Sequence, residues 1–418
     1  MTVAQPTASL TWLDHDAIAA DRSMRLLASL QEKEARDEFG IGAIRDAISD
    51  QLFPGVSTIQ TRLRYFFFIP WLFEGLDSQG VSPAKYPQAA RRAEVQLLEH
   101  LRHNAADEYG IIGRDSGASL KRLPSSVYWA GLSVWGIRQT SGSLQQYFQA
   151  SAERQRYLRQ REKAPLFESD GDQPLQAWHP EIIRLRPKNF PAGATLHLTH
   201  DESSFLLDRW RDTHPDSLLT WLAVHGRDAE GGAGSEGETA AQHIWTHPEA
   251  RRFPLEIKLL VHQARLFDIL MRGAALLYNL LLARHAERKD LSQEFARALD
   301  AWAAEEVPDL QDWQLNQFWP LVTEKGHNIT RSTQHFLEAW LRQVKGSGGH
   351  VGGSLSAKDL IRDREIQLKG KSSSRFLNAS ALRQWGGRSG LGHMSFRWRV
   401  ADTLLRDWRK GYQGFGND

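Results

Sequence analysis

The chain contains no cysteine among its 418 residues. This absence excludes disulfide bonds, thiolate nucleophiles and cysteine-ligated zinc, and it is compatible with a reducing compartment. A basic start followed by an apolar run is also missing from the first residues, so we expect no signal peptide. The sequence therefore predicts a cytoplasmic protein.

Long apolar runs are equally scarce. The most apolar stretch, residues 266–282, is interrupted by Asp268, Arg272 and Asn279. A stretch that is short for a bilayer and carries two charges is typical of a buried core helix. We therefore expect no membrane partner.

Complete catalytic motifs are also missing. The glycine runs at 346–353 and 386–392 lack the strand-then-helix context of a nucleotide-binding loop. Glu256 and Lys258 have the E-x-K spacing of metal-dependent nucleases, in which the carboxylate holds Mg²⁺ and the lysine positions the attacking water. Their flanking apolar residues have helical periodicity, whereas that chemistry uses a strand. We expect no catalytic residue, no metal site and no cofactor.

Aromatic residues, in contrast, are abundant: 15 Trp, 18 Phe and 8 Tyr. The densest stretch is residues 53–73, FPGVSTIQTRLRYFFFIPWLF. On a helix, Phe66, Phe67 and Phe68 cover most of the circumference, so such a helix must be buried nearly all round. This pattern is typical of a core rather than of a stacking platform.

The same stretch contains helix boundary signals. Ser57 stands three residues before Gln60, which matches a capping box and predicts a helix from there to about Phe68. Pro70 is expected to end or kink this helix, because proline lacks the amide hydrogen that a helix interior uses.

Two arginines precede the phenylalanines. Arg62 and Arg64 lie about 200° apart around a helix, so they cannot form one basic face. We expect one of the two to reach a ligand, with Arg62 as the candidate, and the other to pair with an acid such as Asp46 or Asp50.

Helical periodicity along most of the chain predicts a mainly α, multi-helix fold. We expect a helical N-terminal domain at residues 1–165 and a mostly helical acidic middle domain at 175–345, with a flexible insertion at 226–241. A basic, glycine-rich element follows at 346–418. Alternation of apolar and polar residues near 180–200 predicts a small β element.

Charge is distributed unevenly along the chain. Residues 331–418 contain 16 Lys and Arg against 7 Asp and Glu, a net charge of +9. Residues 165–330 contain 16 against 25, a net charge of −9. This asymmetry favours a polyanionic partner at the tail, or else neutralisation of the two regions by each other within the fold.

The basic tail has the composition of a nucleic-acid-binding segment, because cations track phosphates and rings stack on unpaired bases. Phe376, Trp385, Phe396 and Trp398 are interleaved with its cations. The alternative is that these rings dock into the core and leave the arginines at the rim. The candidate nucleic-acid-binding residues are Lys369, Lys371, Arg375, Arg383, Arg388, Arg397 and Arg399, together with Arg62.

Several segments resemble an uncharacterised bacterial and archaeal family of about this length. They are TWLDHD, DEFGIGAIRDAISDQLFPGVSTIQTRLRYFFFIPWLF, GAALLYNLLLAR and HMSFRWRVADTLLRD, and they span almost the whole chain. Members of that family tend to occur in defence or DNA-processing gene clusters, beside helicases and nucleases. The resemblance assigns no catalytic residue.

Together these features predict a non-catalytic subunit of a bacterial anti-phage defence or DNA-processing complex. Its tail is expected to bind nucleic acid, with DNA as the favoured type. It is also expected to bind other subunits of a defence or helicase-containing complex. Two alternatives remain: a metal-dependent nuclease that uses Glu256 and Lys258, and a structural adaptor that binds only protein.

Overall fold

A computed structural model describes residues 37–105, 109–114, 117–156, 177–225, 241–323 and 326–414. Within these ranges the regular structure is helical, so the prediction of a mainly α fold is confirmed. Residues 1–36 lie outside the described residues, and so does the expected flexible insertion at 226–241 except for its last residue, Ala241. The helices are α1 Gly42–Leu52, α2 Tyr65–Ser78, α3 Tyr86–Asn104, α4 Pro124–Val134, α5 Leu144–Gln149, α6 Pro180–Arg184, α7 His200–Thr213, α8 Leu218–His225, α9 Leu255–His285, α10 Lys289–Glu305, α11 Leu315–Thr323, α12 Arg331–Gly346, α13 Leu355–Ser373, α14 Ala379–Arg383 and α15 Trp398–Tyr412.

The chain divides into two compact units. Unit 1 is built mainly from Thr61–Phe205, and unit 2 combines residues 37–60 with Leu206–Gln413. This division differs from the three consecutive segments that the sequence indicates, because residues 346–413 share one unit with most of the middle segment. The C-terminal helices contribute buried side chains such as Trp408 to that unit.

The small β element expected near residues 180–200 is not found. Pro180–Arg184 forms a short helix instead, with proline in its first turn, where the missing amide hydrogen has little cost. Further along, Leu196 and Leu198 are buried while His197 is exposed, which is the alternation that the sequence shows. No strand of the described chain pairs with this segment, so alternation alone does not make it a strand.

The helix of the aromatic stretch begins later than expected. The N–H of Ser57 donates to Oε1 of Gln60 over 3.1 Å, so part of the capping motif forms, but the helix starts only at Tyr65. Pro70 lies inside it and does not end it. Apolar burial on all sides of the helix offsets the cost of proline, about 3 kcal/mol.

The three consecutive phenylalanines form the core of unit 1. Phe66, Phe67 and Phe68 are completely buried. The ring of Phe66 stacks on Trp135 with centroids 4.0 Å apart, and that of Phe68 stacks on Phe190 at 5.7 Å. The prediction of a core, rather than a stacking platform, is confirmed for these rings.

The core of unit 2 is built around α9. By length and composition this 31-residue helix could cross a membrane, but 89% of its most apolar window is buried inside the protein. The indole N–H of Trp302 donates to the carbonyl of Ile269, and that of Trp340 to the carbonyl of Leu270. The helix is therefore the buried core helix that the sequence predicts.

Candidate functional site

Three of the predicted nucleic-acid-binding cations form ion pairs within unit 2; Arg375 and Arg397 are buried and Lys369 is half-buried. Two of them belong to one cluster: Lys369 pairs with Glu38 and lies 3.2 Å from Glu365, and Arg375 pairs with Glu38 over 2.9 Å. Nη1 of Arg375 also donates to the hydroxyl of Tyr278 over 2.9 Å. Two cations face two carboxylates, so the cluster stabilises the fold and presents little charge to a ligand.

Arg397 is the third of these paired cations. It precedes α15 in a left-handed conformation, with φ of 65°. Its guanidinium pairs with Asp50 and, over 3.2 Å, with Asp46, and it donates to the carbonyl of Val56 over 2.9 Å. The two acids that we expected beside Arg62 or Arg64 therefore bind Arg397.

The two arginines of the aromatic stretch lie in unit 1. Arg64 is buried and pairs with Glu202 over 2.9 Å, so its predicted partners Asp46 and Asp50 were wrong. Burial raises the pKa of Glu202, and the positive charge of Arg64 opposes this shift. Arg62 is half-buried, and its Nη1 donates to the carbonyl of Tyr109 over 2.9 Å.

The aromatic rings of the tail are mostly buried. Trp385, Phe396 and Trp398 are 4%, 1% and 2% exposed. The indole N–H of Trp385 donates to Oδ1 of Asn279 over 3.2 Å, and that of Trp398 to the carbonyl of Ala241 over 2.6 Å. These three rings dock into the protein, as in the alternative interpretation, and do not form a platform on which bases could stack.

The remaining predicted cations are exposed. They are Lys371, Arg383, Arg388 and Arg399. Arg388 pairs with Glu294 over 2.6 Å, and both side chains of this pair face solvent. Exposed pairs of this kind contribute little to stability and exchange readily, so all four cations remain accessible to an anion.

Helix α15 adds a basic face that the sequence reasoning missed. Arg399, Arg406 and Lys410 are exposed along it, and at ~100° per residue they lie within about 20° of one line. Trp408 is buried on another face of the helix, and Asp402 pairs with Arg406 over 2.7 Å. The seven- and four-residue spacings of these cations were the signal that could have revealed the basic face.

A second group of polar residues, which we call the histidine cluster, lies elsewhere in unit 2. It comprises His243, Asp268, Arg272, Glu306 and His393. Oδ2 of the buried Asp268 lies 2.6 Å from Nδ1 of His393, and Nη1 of Arg272 lies 3.0 Å from Nε2 of the same ring. Because a guanidinium only donates hydrogen bonds, Nε2 accepts, and the ring proton is on Nδ1.

The backbone and a glutamate hold this arrangement. The N–H of Met394 donates to Oδ1 of Asp268 over 2.7 Å, so both carboxylate oxygens are engaged. Arg272 pairs with Glu306 over 2.6 Å. Burial raises the pKa of Glu306, and the charge of Arg272 opposes that shift. The imidazole of His393 is thus oriented from both sides.

His243 is the second imidazole of the cluster. Its ring centroid lies 4.5 Å from that of His393, and the ring stacks on Trp245 with centroids 4.8 Å apart. Burial lowers the pKa of His243, with smaller contributions in the same direction from His393 and Arg399. The sequence showed only one hint of this cluster, the charge of Asp268 inside the most apolar stretch of the chain.

The E-x-K pair lies apart from this cluster. Glu256 and Lys258 are exposed in the first turn of α9, about 200° apart around the helix, so their side chains do not converge. Among the described residues no group of three or more His, Asp or Glu side chains is arranged to hold a metal ion.

Comparison with known proteins gives one match. No curated protein and no solved structure matches the chain. The model of a family of unknown function, DUF6361, matches residues 7–410, nearly the whole of the 418-residue sequence. The resemblance to an uncharacterised family is thereby confirmed, and the chain belongs to the family DUF6361.

Proposed function

We propose that the protein binds nucleic acid through the exposed cations of unit 2. The observation that carries this proposal is the basic face of α15, formed by Arg399, Arg406 and Lys410. At 1.5 Å per residue these cations span about 16 Å, a length over which a nucleic acid carries several phosphates. Phosphate contacts of this kind are common to DNA and RNA and carry no sequence preference.

Because several cations and rings of the tail are engaged inside unit 2, we propose an interface that is narrower than the whole tail. Lys369, Arg375 and Arg397 neutralise carboxylates inside unit 2, and the aromatic rings pack in its interior. Lys371, Arg383 and Arg388 are exposed and can add phosphate contacts at the edge of the interface. The proposed interaction is therefore electrostatic, without base stacking by the tail.

Simultaneous replacement of Arg399, Arg406 and Lys410 by Gln tests this proposal. Binding of the full chain to fluorescent single- and double-stranded oligonucleotides is measured between 50 and 300 mM salt, roughly the range in which phosphate contacts are lost. We expect weaker binding and a log–log salt slope that is smaller by about 2 on single strands and by about 3 on the duplex, since three phosphate contacts are removed.

The matched control replaces three exposed cations of α9 and α10, Arg284, Lys289 and Arg297, by Gln. This control changes the net charge equally, so it separates the basic face from overall charge. Equal affinity and slope in the two variants would contradict the proposal. Absence of any salt-sensitive binding in the native protein would favour the protein-binding adaptor.

We further propose that this binding serves an anti-phage or DNA-processing complex, as the family resemblance implies. Co-expression with the proteins encoded beside it, followed by purification and an assay for nucleic acid in the eluate, tests this. Recovery of the protein alone, without a helicase or nuclease partner, would contradict membership of such a complex.

A further inference from the structure

We infer that the histidine cluster cleaves the phosphodiester backbone of RNA by acid–base catalysis. This activity rests on the proposed binding of nucleic acid, and it identifies RNA as the substrate. Arg399 connects the two, because it belongs to the basic face of α15 and its neighbour Trp398 donates to the carbonyl of Ala241, two residues before His243. A nucleic acid on that face is therefore expected to place a phosphate near the two imidazoles.

His393 has the geometry of a general base. Its Nδ1–H is fixed by the buried Asp268, which is itself held by the backbone N–H of Met394. This leaves Nε2 as the basic atom, and 34% of the side chain is exposed. A carboxylate that orients an imidazole and stabilises its protonated form is the arrangement that makes histidine an effective base.

Arg272 occupies the position in front of that basic atom. Its Nη1 is shared between Nε2 of His393 at 3.0 Å and Oε1 of Glu306 at 2.6 Å. A guanidinium has five donors and binds phosphate oxygens in bidentate geometry. A phosphate that attracts Arg272 therefore uncovers Nε2 of His393 and gains a cation at the same time.

His243 supplies the general acid. Its ring lies 4.5 Å from that of His393, so one phosphate group can lie within reach of both. Burial lowers the pKa of His243, and its protonated form consequently gives up a proton readily. Stacking on Trp245 keeps the ring in place.

RNA supplies the nucleophile for this chemistry in its own ribose. Nε2 of His393 takes the proton of the 2′-hydroxyl, and the 2′-oxygen forms a bond to phosphorus. The bond from phosphorus to the 5′-oxygen breaks, and this oxygen takes a proton from the protonated His243. The products are a 2′,3′-cyclic phosphate and a 5′-hydroxyl, and no oxidant or further reactant is consumed. The intramolecular nucleophile lowers the entropic barrier, and DNA, which lacks it, is bound without cleavage.

The test uses the full chain and three end-labelled oligonucleotides of one sequence: RNA, 2′-O-methyl RNA and DNA, in EDTA. We expect cleavage of the RNA alone, with a cyclic phosphate at the new 3′ end. His393→Gln is expected to slow cleavage by at least ~100-fold without weakening RNA binding. His243→Gln is a second variant with the same expectation, and the exposed His262→Gln is the matched control.

The outcomes separate this inference from the proposed function. If the native protein binds RNA in a salt-sensitive manner without cleaving it, the proposed cleavage is wrong and the proposed binding stands. If the native protein does not bind RNA at all, both proposals are wrong. Cleavage that persists in both histidine variants, or that includes DNA, also overturns it. Cleavage that requires Mg²⁺ and is lost in Glu256→Ala instead supports the metal-dependent alternative.

Asp268 is a positioning residue in this scheme. Asp268→Asn reverses the hydrogen bond at Nδ1 of His393 and is expected to lower kcat with little change in KM. A purely structural role would instead lower the unfolding temperature without moving kcat at temperatures where the protein is folded. That second result would overturn the assigned role of Asp268.

Discussion

The carboxylate of Glu94 is completely buried and accepts two hydrogen bonds from a single residue, Ser125. Oε2 accepts the backbone N–H over 2.8 Å, and Oε1 accepts the hydroxyl over 2.7 Å. The N–H belongs to the first turn of α4, so a side chain of α3 satisfies a donor that the helix itself leaves without a partner. Burial nevertheless raises the pKa of Glu94 to about 7.

This pKa makes the stability of unit 1 depend on pH. Between the ordinary value of 4.5 and about 7, the folded protein keeps a proton that the unfolded chain has released. The contribution of Glu94 to the free energy of unfolding therefore falls as pH rises through this window and is constant above it. At about 1.4 kcal/mol for each pH unit, the loss amounts to about 3 kcal/mol.

Glu94→Gln removes this ionisation and keeps one donor and one acceptor opposite Ser125. Urea unfolding at pH 5, 6, 7 and 8 is expected to show equal stabilities at the lowest pH and a more stable variant at the highest. Glu94→Ala, the control, also lacks the ionisation but leaves the N–H of Ser125 without an acceptor, so it is expected to be about 1–3 kcal/mol less stable than Glu94→Gln at every pH. If the difference in the free energy of unfolding between the Gln variant and the native protein were the same at all four pH values, the raised pKa of Glu94 would be contradicted.

Neighbouring arginines at the start of α15 are expected to differ sharply. Arg397→Ala leaves Asp46 and Asp50 without their buried cation, and we expect a loss of about 3–5 kcal/mol in the free energy of unfolding. Arg399→Ala removes an exposed side chain and is expected to change stability by less than about 0.5 kcal/mol. Urea unfolding of the two variants measures both values, and similar losses would show that Arg397 is not a structural cation.

Two glycines give a matched test of packing in unit 2. A Cβ on Gly273 would lie 2.2 Å from a ring carbon of Trp302, whereas a Cβ on Gly346 meets nothing within 4 Å. Gly273→Ala is expected to cost about 2 kcal/mol, because the overpacked ring outweighs the gain of about 1 kcal/mol in helix propensity. Gly346→Ala causes no such clash, so only the gain in helix propensity remains and the variant is expected to be more stable. Thermal unfolding of both variants measures the two changes in stability, and stabilisation by Gly273→Ala would contradict the close approach of Trp302 to Gly273.

Deletion of residues 346–418 is expected to unfold unit 2. Trp385, Phe396, Trp398 and Trp408 are buried in this unit, so their removal exposes a large apolar surface. Far-ultraviolet circular dichroism and limited proteolysis measure the effect. Loss of nucleic-acid binding after such a deletion therefore does not locate the interface, and point substitutions on α15 are needed. A folded, protease-resistant truncation would contradict this expectation.

Local patterns were sufficient to predict much of the fold. Helical periodicity identified the mainly α class and α9 as a core helix, and three adjacent rings at Phe66–68 could be buried only by a helix surrounded on all sides. Burial of this kind can be predicted from residues that are adjacent in the sequence. It also explains why Pro70, a strong local signal, did not end α2: apolar contacts with the rest of unit 1 outweighed it.

Pairings between distant residues could not be predicted in this way. Arg397 and Asp50 are 347 residues apart, and nothing in the basic composition around Arg397 distinguishes it from Arg399. The burial of Trp398 and the meeting of Asp268 with His393 likewise depend on how the helices pack. Composition therefore predicted a uniformly basic, ring-bearing tail, whereas packing divides its cations into buried and exposed groups.

The ion pair between Arg397 and Asp50 has a consequence for protein synthesis. The ribosome makes Asp50 347 residues before Arg397, so this ion pair can form only after that long intervening stretch has been translated. The long continuous segment Thr61–Phe205 is complete well before that and can begin to fold on the ribosome. The ion pair of unit 2 cannot form until Arg397 has been synthesised, so unit 2 completes its core later than this segment of unit 1.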